Sequence, residues 1–165
     1  KRWLSILEAS YIIFIVPPFY DNYGKRIVKS PKVYFYDTGL ISYLTGITTY
    51  DQFDHGPLAG SLFENYVVSE ILKKELHLAT QSDLYYLRTQ DKAEIDLIVD
   101  RKSSKDFIEI KKTATFHPGM VQTLQKYRMP DNRSFFLYQG DRQEHRDIHI
   151  MPYWEYLTDI SHLHL

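Results

Sequence analysis

The sequence contains no cysteine. That excludes disulfide staples and thiolate-bound zinc, and it fits a reducing, cytoplasmic setting. Long hydrophobic runs are also missing. The longest, Tyr11 to Val16, falls far short of the roughly 20 apolar residues that span a bilayer, so no membrane partner is expected. Surplus charge is absent too: 20 Lys and Arg against 21 Asp and Glu leave a net charge of -1, so bulk charge does not make the chain a polyanion binder. The first residue is Lys1, not methionine, and no signal-peptide pattern follows it. The chain therefore reads as part of something longer, with an N-terminal partner domain expected before it.

What is present suits a folded domain. Hydrophobic residues at 44% and charged residues at 25% argue against disorder. A length of 165 residues allows one sizeable core, or one domain with a small appendage. No repeat or low-complexity tract interrupts it. Basic residues cluster locally: Lys25, Arg26, Lys29 and Lys32 follow one another without an acid, a patch able to contact phosphates. The plainer reading of that patch is a solvated hairpin.

Apolar spacing predicts a helix end over Lys1 to Ser10, then a buried strand over Tyr11 to Val16, stopped by Pro17-Pro18. A turn at Asp21 to Gly24 and a return strand over Arg26 to Lys29 give the outline of a wing, with a plain β-hairpin as the alternative. Lys32 to Tyr36 is a further strand. Asp37 is placed to cap a short helix that Gly46 ends. Thr48 to Pro57 reads as a loop. Gly60 to Leu76 is the clearest helix, with Leu62, Phe63, Tyr66, Val67, Ile71 and Leu72 as its apolar stripe. Ser61 and Glu64 stand at capping-box spacing at its start. Glu64 also borders the buried stripe, where a lone carboxylate needs a lysine or a metal.

Three strands follow: Leu84 to Arg88, Ala93 to Asp100 and Phe107 to Lys112. Alternation puts Ala93, Ile95, Leu97 and Val99 on one face of the second strand, and Glu94, Asp96, Ile98 and Asp100 on the other. In the third, Glu109 and Lys111 share a side. Pro118 to Arg128 reads as a helix, Ser134 to Tyr138 as a buried strand, Asp147 to Ile150 as a last strand, and Trp154 to Leu157 as a closing helix.

Asp96, Glu109 and Lys111 carry the chemistry this order suggests. Mg²⁺ takes hard oxygen ligands and is often held by one or two carboxylates with substrate phosphate. Asp96 and Glu109 would be those ligands, Lys111 would assist an attacking water, and Glu64 would close the site through a second ion or a bound water. On residue types alone a solvated salt-bridge cluster explains the same acids and lysine. His145 and His149 lack a third ligand and read as surface residues, and Tyr34, Tyr36, Tyr85 and Tyr86 read as packing groups within strands.

Asp96 followed by Glu109-Ile110-Lys111 resembles the D…(D/E)-X-K signature of the PD-(D/E)XK nuclease superfamily, without the proline usually written before the first acid. The stretches PKVYFYDTGLISYLTG, GSLFENYVVSEI, LYYLRTQDKAEIDLIV and FIEIKKT resemble the C-terminal domain of unknown function found on bacterial and archaeal AAA-type ATPases. The resemblance implies an α/β fold with a restriction-endonuclease-like αβββαβ core and mixed sheet over residues 37–165, preceded by part of a winged helix over residues 1–36. It implies a Mg²⁺- or Mn²⁺-dependent nuclease, with DNA first and RNA second as substrate. ATP would bind only in an absent N-terminal ATPase module; this chain has no G-x-x-x-x-G-K-[ST] loop. The alternative is an inactive nuclease-fold module that binds nucleic acid or a protein and regulates the ATPase. A second copy of the chain is a further partner class.

Overall fold

The computed structural model describes residues 2–20 and 30–160. Helix α1 (Arg2–Ala9) leads into β1 (Ile13–Val16), which pairs antiparallel with β2 (Lys32–Phe35), Val16 opposite Lys32. The turn and return strand expected over residues 21–29 lie outside the described residues. Next come α2 (Thr38–Leu44), α3 (Tyr50–His55) and the long α4 (Ala59–His77). Strands β3 (Asp83–Arg88), β4 (Glu94–Asp100) and β5 (Lys105–Ile110) follow. A 3₁₀ turn at Pro118–Val121 precedes α5 (Gln122–Lys126), then β6 (Asn132–Tyr138), β7 (Gln143–His145), β8 (Ile148–Pro152) and α6 (Tyr153–Thr158).

Strands β3 to β8 form one six-stranded sheet in the order β3-β4-β5-β6-β8-β7. The β5–β6 and β6–β8 pairs are parallel and the others antiparallel, so the sheet is mixed. Helices cover both faces. On one, Phe63, Val67, Val68 and Ile71 of α4 pack with Leu97, Val99, Ile108 and Ile110, joined by Phe14, Val16 and Tyr34 from the β1–β2 pair. On the other, Val121, Leu124 and Tyr127 pack against Ile95, Ile98, Phe107 and Phe136. The hairpin also reaches the sheet edge: Phe19 N donates to Tyr86 O, and Tyr86 N to Pro17 O.

Several local expectations need correction. The second strand does not alternate throughout. Tyr85 pairs with Ile98 but Leu87 with Ile95, so two steps on β3 face three on β4. This is a bulge at Asp96-Leu97, and it shifts the side-chain phase by one residue. Ile95 therefore packs with Ile98 on the α5 face, while Leu97 and Val99 pack under α4. Secondly, Ser61 and Glu64 form no capping box. Helix α4 begins at Ala59 with no side-chain cap, which leaves Ser61 inside it. Thirdly, the expected loop at Thr48 to Pro57 contains α3. It carries its own capping box, Thr49 Oγ1 accepting from Gln52 N at 3.2 Å and Gln52 Oε1 accepting from Thr49 N at 3.2 Å. Lastly, the short edge strand β7 falls where no strand is expected, and the helix at Pro118 to Arg128 is divided between the 3₁₀ turn and α5. The Asp37 cap stands as expected, accepting from Gly39 N at 2.7 Å, and Gly46 adopts φ 73° after α2.

The end of the sheet where β4 turns into β5 is held by a buried charge network. Arg101 donates to Glu75 Oε1 at 2.6 Å and to Asp106 Oδ2 at 2.6 Å. Asp106 also accepts from Arg133 at 2.8 Å and from the Tyr156 hydroxyl at 2.8 Å. Burial pushes the Glu75 carboxyl upward, but hydrogen bonds from Arg101 and Thr80 outweigh it and hold the group below the usual range. Its folded pKa is depressed, so its stabilising effect is present above pH about 4.3 and is lost as pH falls through the folded value. Removing the guanidinium leaves the buried Glu75 carboxylate without its cation, while Asp106 keeps Arg133 and the Tyr156 hydroxyl. Arg101→Met is expected to cost about 3–5 kcal/mol in urea unfolding at pH 7; a loss below about 1 kcal/mol would show that the pairing is dispensable.

Candidate active site

The candidate site forms where β4 and β5 separate. Their ladder runs from Asp100↔Lys105 to Leu97↔Ile108. One step further the bulge has turned Asp96 out of the regular pattern, and its carboxylate takes the place of a backbone partner: Ile110 N donates to Asp96 Oδ2 at 2.9 Å. The same oxygen lies 3.4 Å from Lys111 Nζ. Lys111 Nζ also lies 2.5 Å from Glu109 Oε1. The E-X-K spacing thus brings Glu109 and Lys111 together, and the bulge brings Asp96 to them.

Two environments separate these groups. Asp96 and Glu109 are buried, at 5% and 8% exposure, whereas the Lys111 side chain is 43% exposed and reaches outward from them. Burial and the charge of Asp96 push the Glu109 carboxyl up to about 8, against the opposing pull of Lys111. Burial and the nearby Glu64 raise Asp96 as well. The two carboxylates raise the Lys111 ammonium, outweighing its own desolvation. Among the described residues, Glu109 Oε2 is buried and has no hydrogen-bond partner.

Glu64 sits on the other side of Asp96 and is not beside Glu109's partners. Its Oε1 accepts from Lys32 Nζ at 2.9 Å and from the Tyr34 hydroxyl at 2.6 Å. Burial and the Glu64 charge raise the Tyr34 hydroxyl, which stays protonated as a donor. Lys32 is turned inward rather than standing on an exposed basic strip. Its Nζ also lies 2.8 Å from Glu94 Oε1 and 3.8 Å from Asp96 Oδ1. Lys25, Arg26 and Lys29 lie outside the described residues.

The sequence reading missed Lys32, Tyr34 and Glu94 as members of this cluster. Glu94 was legible, being two residues before Asp96. Lys32 and Tyr34 belong to a distant strand, and nothing local marks them. The neighbouring lysines of the EIKK segment diverge: Lys112 leaves the cluster and binds Asp54 of α3 at 2.8 Å.

Among the described residues, no three His, Asp or Glu side chains are grouped as a metal cage. A Mg²⁺ ion that keeps its waters and takes substrate phosphate needs only one or two carboxylates. Asp96 and Glu109 meet that lesser requirement, and the unpartnered Glu109 Oε2 is a free hard oxygen there. The residues present fit a single hydrated divalent ion.

A mixed α/β domain with a carboxylate–lysine cluster at the parting of two strands is the class this geometry defines. Residues 59–156 match the family described as Domain of unknown function (DUF4143), and the chain belongs to that family. Residues 1–51 match a second domain of unknown function, DUF8612. Two uncharacterised mycobacterial proteins, from Mycobacterium tuberculosis and Mycobacterium bovis, are each 35% identical over 115 residues, or 70% of this chain. The chain spans about a quarter of the length of these curated relatives, 25% in each case. No solved structure matches. Among the described residues, no helix is long and apolar enough to cross a membrane.

The raised Glu109 carboxyl has a consequence for stability. Its folded value, about 8, lies above an unfolded value near 4.3. The native state thus binds the proton more tightly, and stability falls as pH rises between those two values. Urea unfolding from pH 5 to 9, in the presence of a chelator, is expected to show this decline in the wild type and a flatter profile in Glu109→Gln. Parallel profiles would contradict the assignment.

Proposed function

We propose that this domain is a metal-dependent phosphodiester hydrolase acting on DNA or RNA. The observation that supports it best is the convergence of Asp96, Glu109 and Lys111 where β4 and β5 separate, with Glu109 Oε2 buried and unpartnered. Asp96 and Glu109 would hold Mg²⁺ or Mn²⁺. The ion, when bound, supplies Lewis-acid polarisation of the phosphate and lowers the pKa of a coordinated water.

The chain's own residues do the rest. Ile110 N fixes the Asp96 carboxylate, so that it meets a ligand without reorganising. Lys111, half-exposed above the two acids, can hold the attacking water by its lone pair and offset charge on the phosphate oxygens. Glu64, pinned by Lys32 and Tyr34, faces Asp96 from behind and adds like-charge repulsion to the burial that raises its carboxyl. The order α4, β3, β4, β5, α5, β6 is compatible with the αβββαβ core of the PD-(D/E)XK superfamily. The β1–β2 pair after α1 is compatible with the end of a winged helix. Lys25, Arg26 and Lys29 would extend the contact to phosphates.

The domain would serve an AAA-type ATPase. Support comes from the resemblance over residues 31–46, 60–71, 84–99 and 107–113, and from the relatives' greater length, which leaves room for such a module. A second reading is an inactive module that binds nucleic acid or a partner protein and regulates that ATPase. The observation favouring it is that Lys32 and Lys111 already neutralise much of the acidic cluster.

Cleavage of labelled single- and double-stranded DNA and RNA, with Mg²⁺, Mn²⁺ or chelator, separates the two. Asp96→Ala and Lys111→Ala are each expected to lower metal-dependent cleavage by at least about 10²-fold while the circular dichroism spectrum is kept. Undiminished cleavage in both variants would defeat the hydrolase reading. Salt-dependent nucleic-acid binding without metal dependence would favour the regulatory one.

A further inference from the structure

Strands β5, β6 and β8 run parallel, so their carboxyl ends open on the same edge of the sheet. In open α/β sheets, ligands settle in the crevice outside those ends. Here that crevice is a cavity of about 260 Å³. Residues just past each strand line it: Lys112 after β5, Gln139 after β6 and Tyr153 after β8.

Its other walls are largely aromatic. Tyr50 and Phe53 come from α3, and Phe63 and Tyr66 from α4. Tyr153 stands edge-on to both α4 rings, at 5.2 Å and 88° from Phe63 and at 5.9 Å and 82° from Tyr66. Phe63 is buried, whereas Tyr66 is 38% and Tyr50 77% exposed. Two amphipathic rings are thus left accessible to a flat ligand. The cavity is also pre-formed. Lys112 Nζ donates to Asp54 O at 2.6 Å and lies 2.8 Å from Asp54 Oδ1, which ties α3 to the end of β5. Walls held in place beforehand lose little entropy on binding. Gln139, an exposed residue, adds an amide that can both donate and accept. Ring faces for stacking, with a few polar groups beside them, suit a nucleobase.

Lys111 and Lys112 divide the end of β5 between two tasks. Lys111 turns to Asp96 and Glu109, and Lys112 to the cavity. We propose that the cavity is a base subsite, taking one unpaired nucleobase of the strand whose phosphate meets Lys111 and stacking it against Tyr50 and Tyr66. Its volume falls below the roughly 300–1,000 Å³ of drug-sized sites, which suits one ring system rather than several. A base within a duplex is already stacked and paired, and reaches such a cavity only by costly extrusion. The substrate class is therefore single-stranded nucleic acid, or an unpaired end, in preference to continuous duplex.

This subsite deepens the hydrolase reading and rests on it for the phosphate at Lys111. Its test is binding of the whole chain in chelator, where no cleavage is required. Fluorescence anisotropy compares three short labelled DNA probes: a single strand, the same strand made abasic throughout, and a blunt duplex. The wild type is expected to bind the intact strand roughly 5- to 150-fold more tightly than the abasic one, and more tightly than the duplex. Tyr50→Ala and Tyr66→Ala are each expected to narrow the ratio of intact to abasic affinity, and Tyr50→Phe to keep it, with circular dichroism checking the fold. Equal affinity of the wild type for intact and abasic strands overturns the proposal without recourse to any variant. So does tighter binding of the duplex, a ratio that neither alanine variant moves, or no binding of any probe. Base discrimination without cleavage in Mg²⁺ or Mn²⁺ removes the hydrolase reading and leaves the subsite. Cleavage without discrimination does the reverse.

Discussion

The carboxylate of Asp96, buried where two strands part and bonded to the amide of Ile110, is the constraint around which this end of the molecule is arranged. A buried carboxylate is costly unless it is paired and hydrogen-bonded. The fold supplies three answers from three directions. Ile110 offers a backbone amide in the sheet plane, Lys111 an ammonium from the next strand, and Lys32 a second ammonium from the hairpin. Elements far apart in the chain are thereby tied to one group. Burial, joined by the Asp96 charge, outweighs Lys111 and raises the Glu109 carboxyl far above the normal range.

The opposite end of the same strands solves a similar problem differently. Arg101 bridges Glu75 and Asp106, and Arg133 and Tyr156 complete the set. There the hydrogen-bonding groups close on one another, and Arg101, Glu75 and Asp106 are all withdrawn from solvent. Helix α4 links the two clusters. Glu64 lies near its start and Glu75 near its end, roughly 16 Å apart at 1.5 Å per residue. Between them Val67, Val68 and Ile71 press on the sheet with no exposure at all. The helix is thus fixed electrostatically at both ends and by apolar packing in the middle. Such anchoring holds Glu64 and, through Lys32, Asp96 within narrow limits.

Much of this was legible in the chain because it rests on local pattern. The run of three strands, the α4 stripe and the Asp37 cap follow from alternation, helical spacing and turn chemistry over a few residues. Helix α3 was legible too, since Thr49 and Gln52 stand at capping-box spacing; the glycine and proline that follow drew the reading toward a loop. The same spacing misled at Ser61 and Glu64. Helix α4 had already begun at Ala59, so the glutamate was free to turn toward the hairpin. A motif of this kind shows that a cap is available and not that the backbone ends there.

Taken alone, the sequence determined that a mixed α/β domain would form and that Glu109 and Lys111 would share a side of one strand, because a strand's period of two is set by backbone geometry. It also excluded cysteine from any site, because the chain has none. Only the tertiary structure decided which acids meet. The bulge that swings Asp96 into place depends on how β3 and β4 register against each other. The cation behind Asp96 depends on the β1–β2 hairpin packing against α4, more than 30 residues away. Both are matters of long-range pairing, where the physical information lies in the partner strand and not in the residue's neighbours.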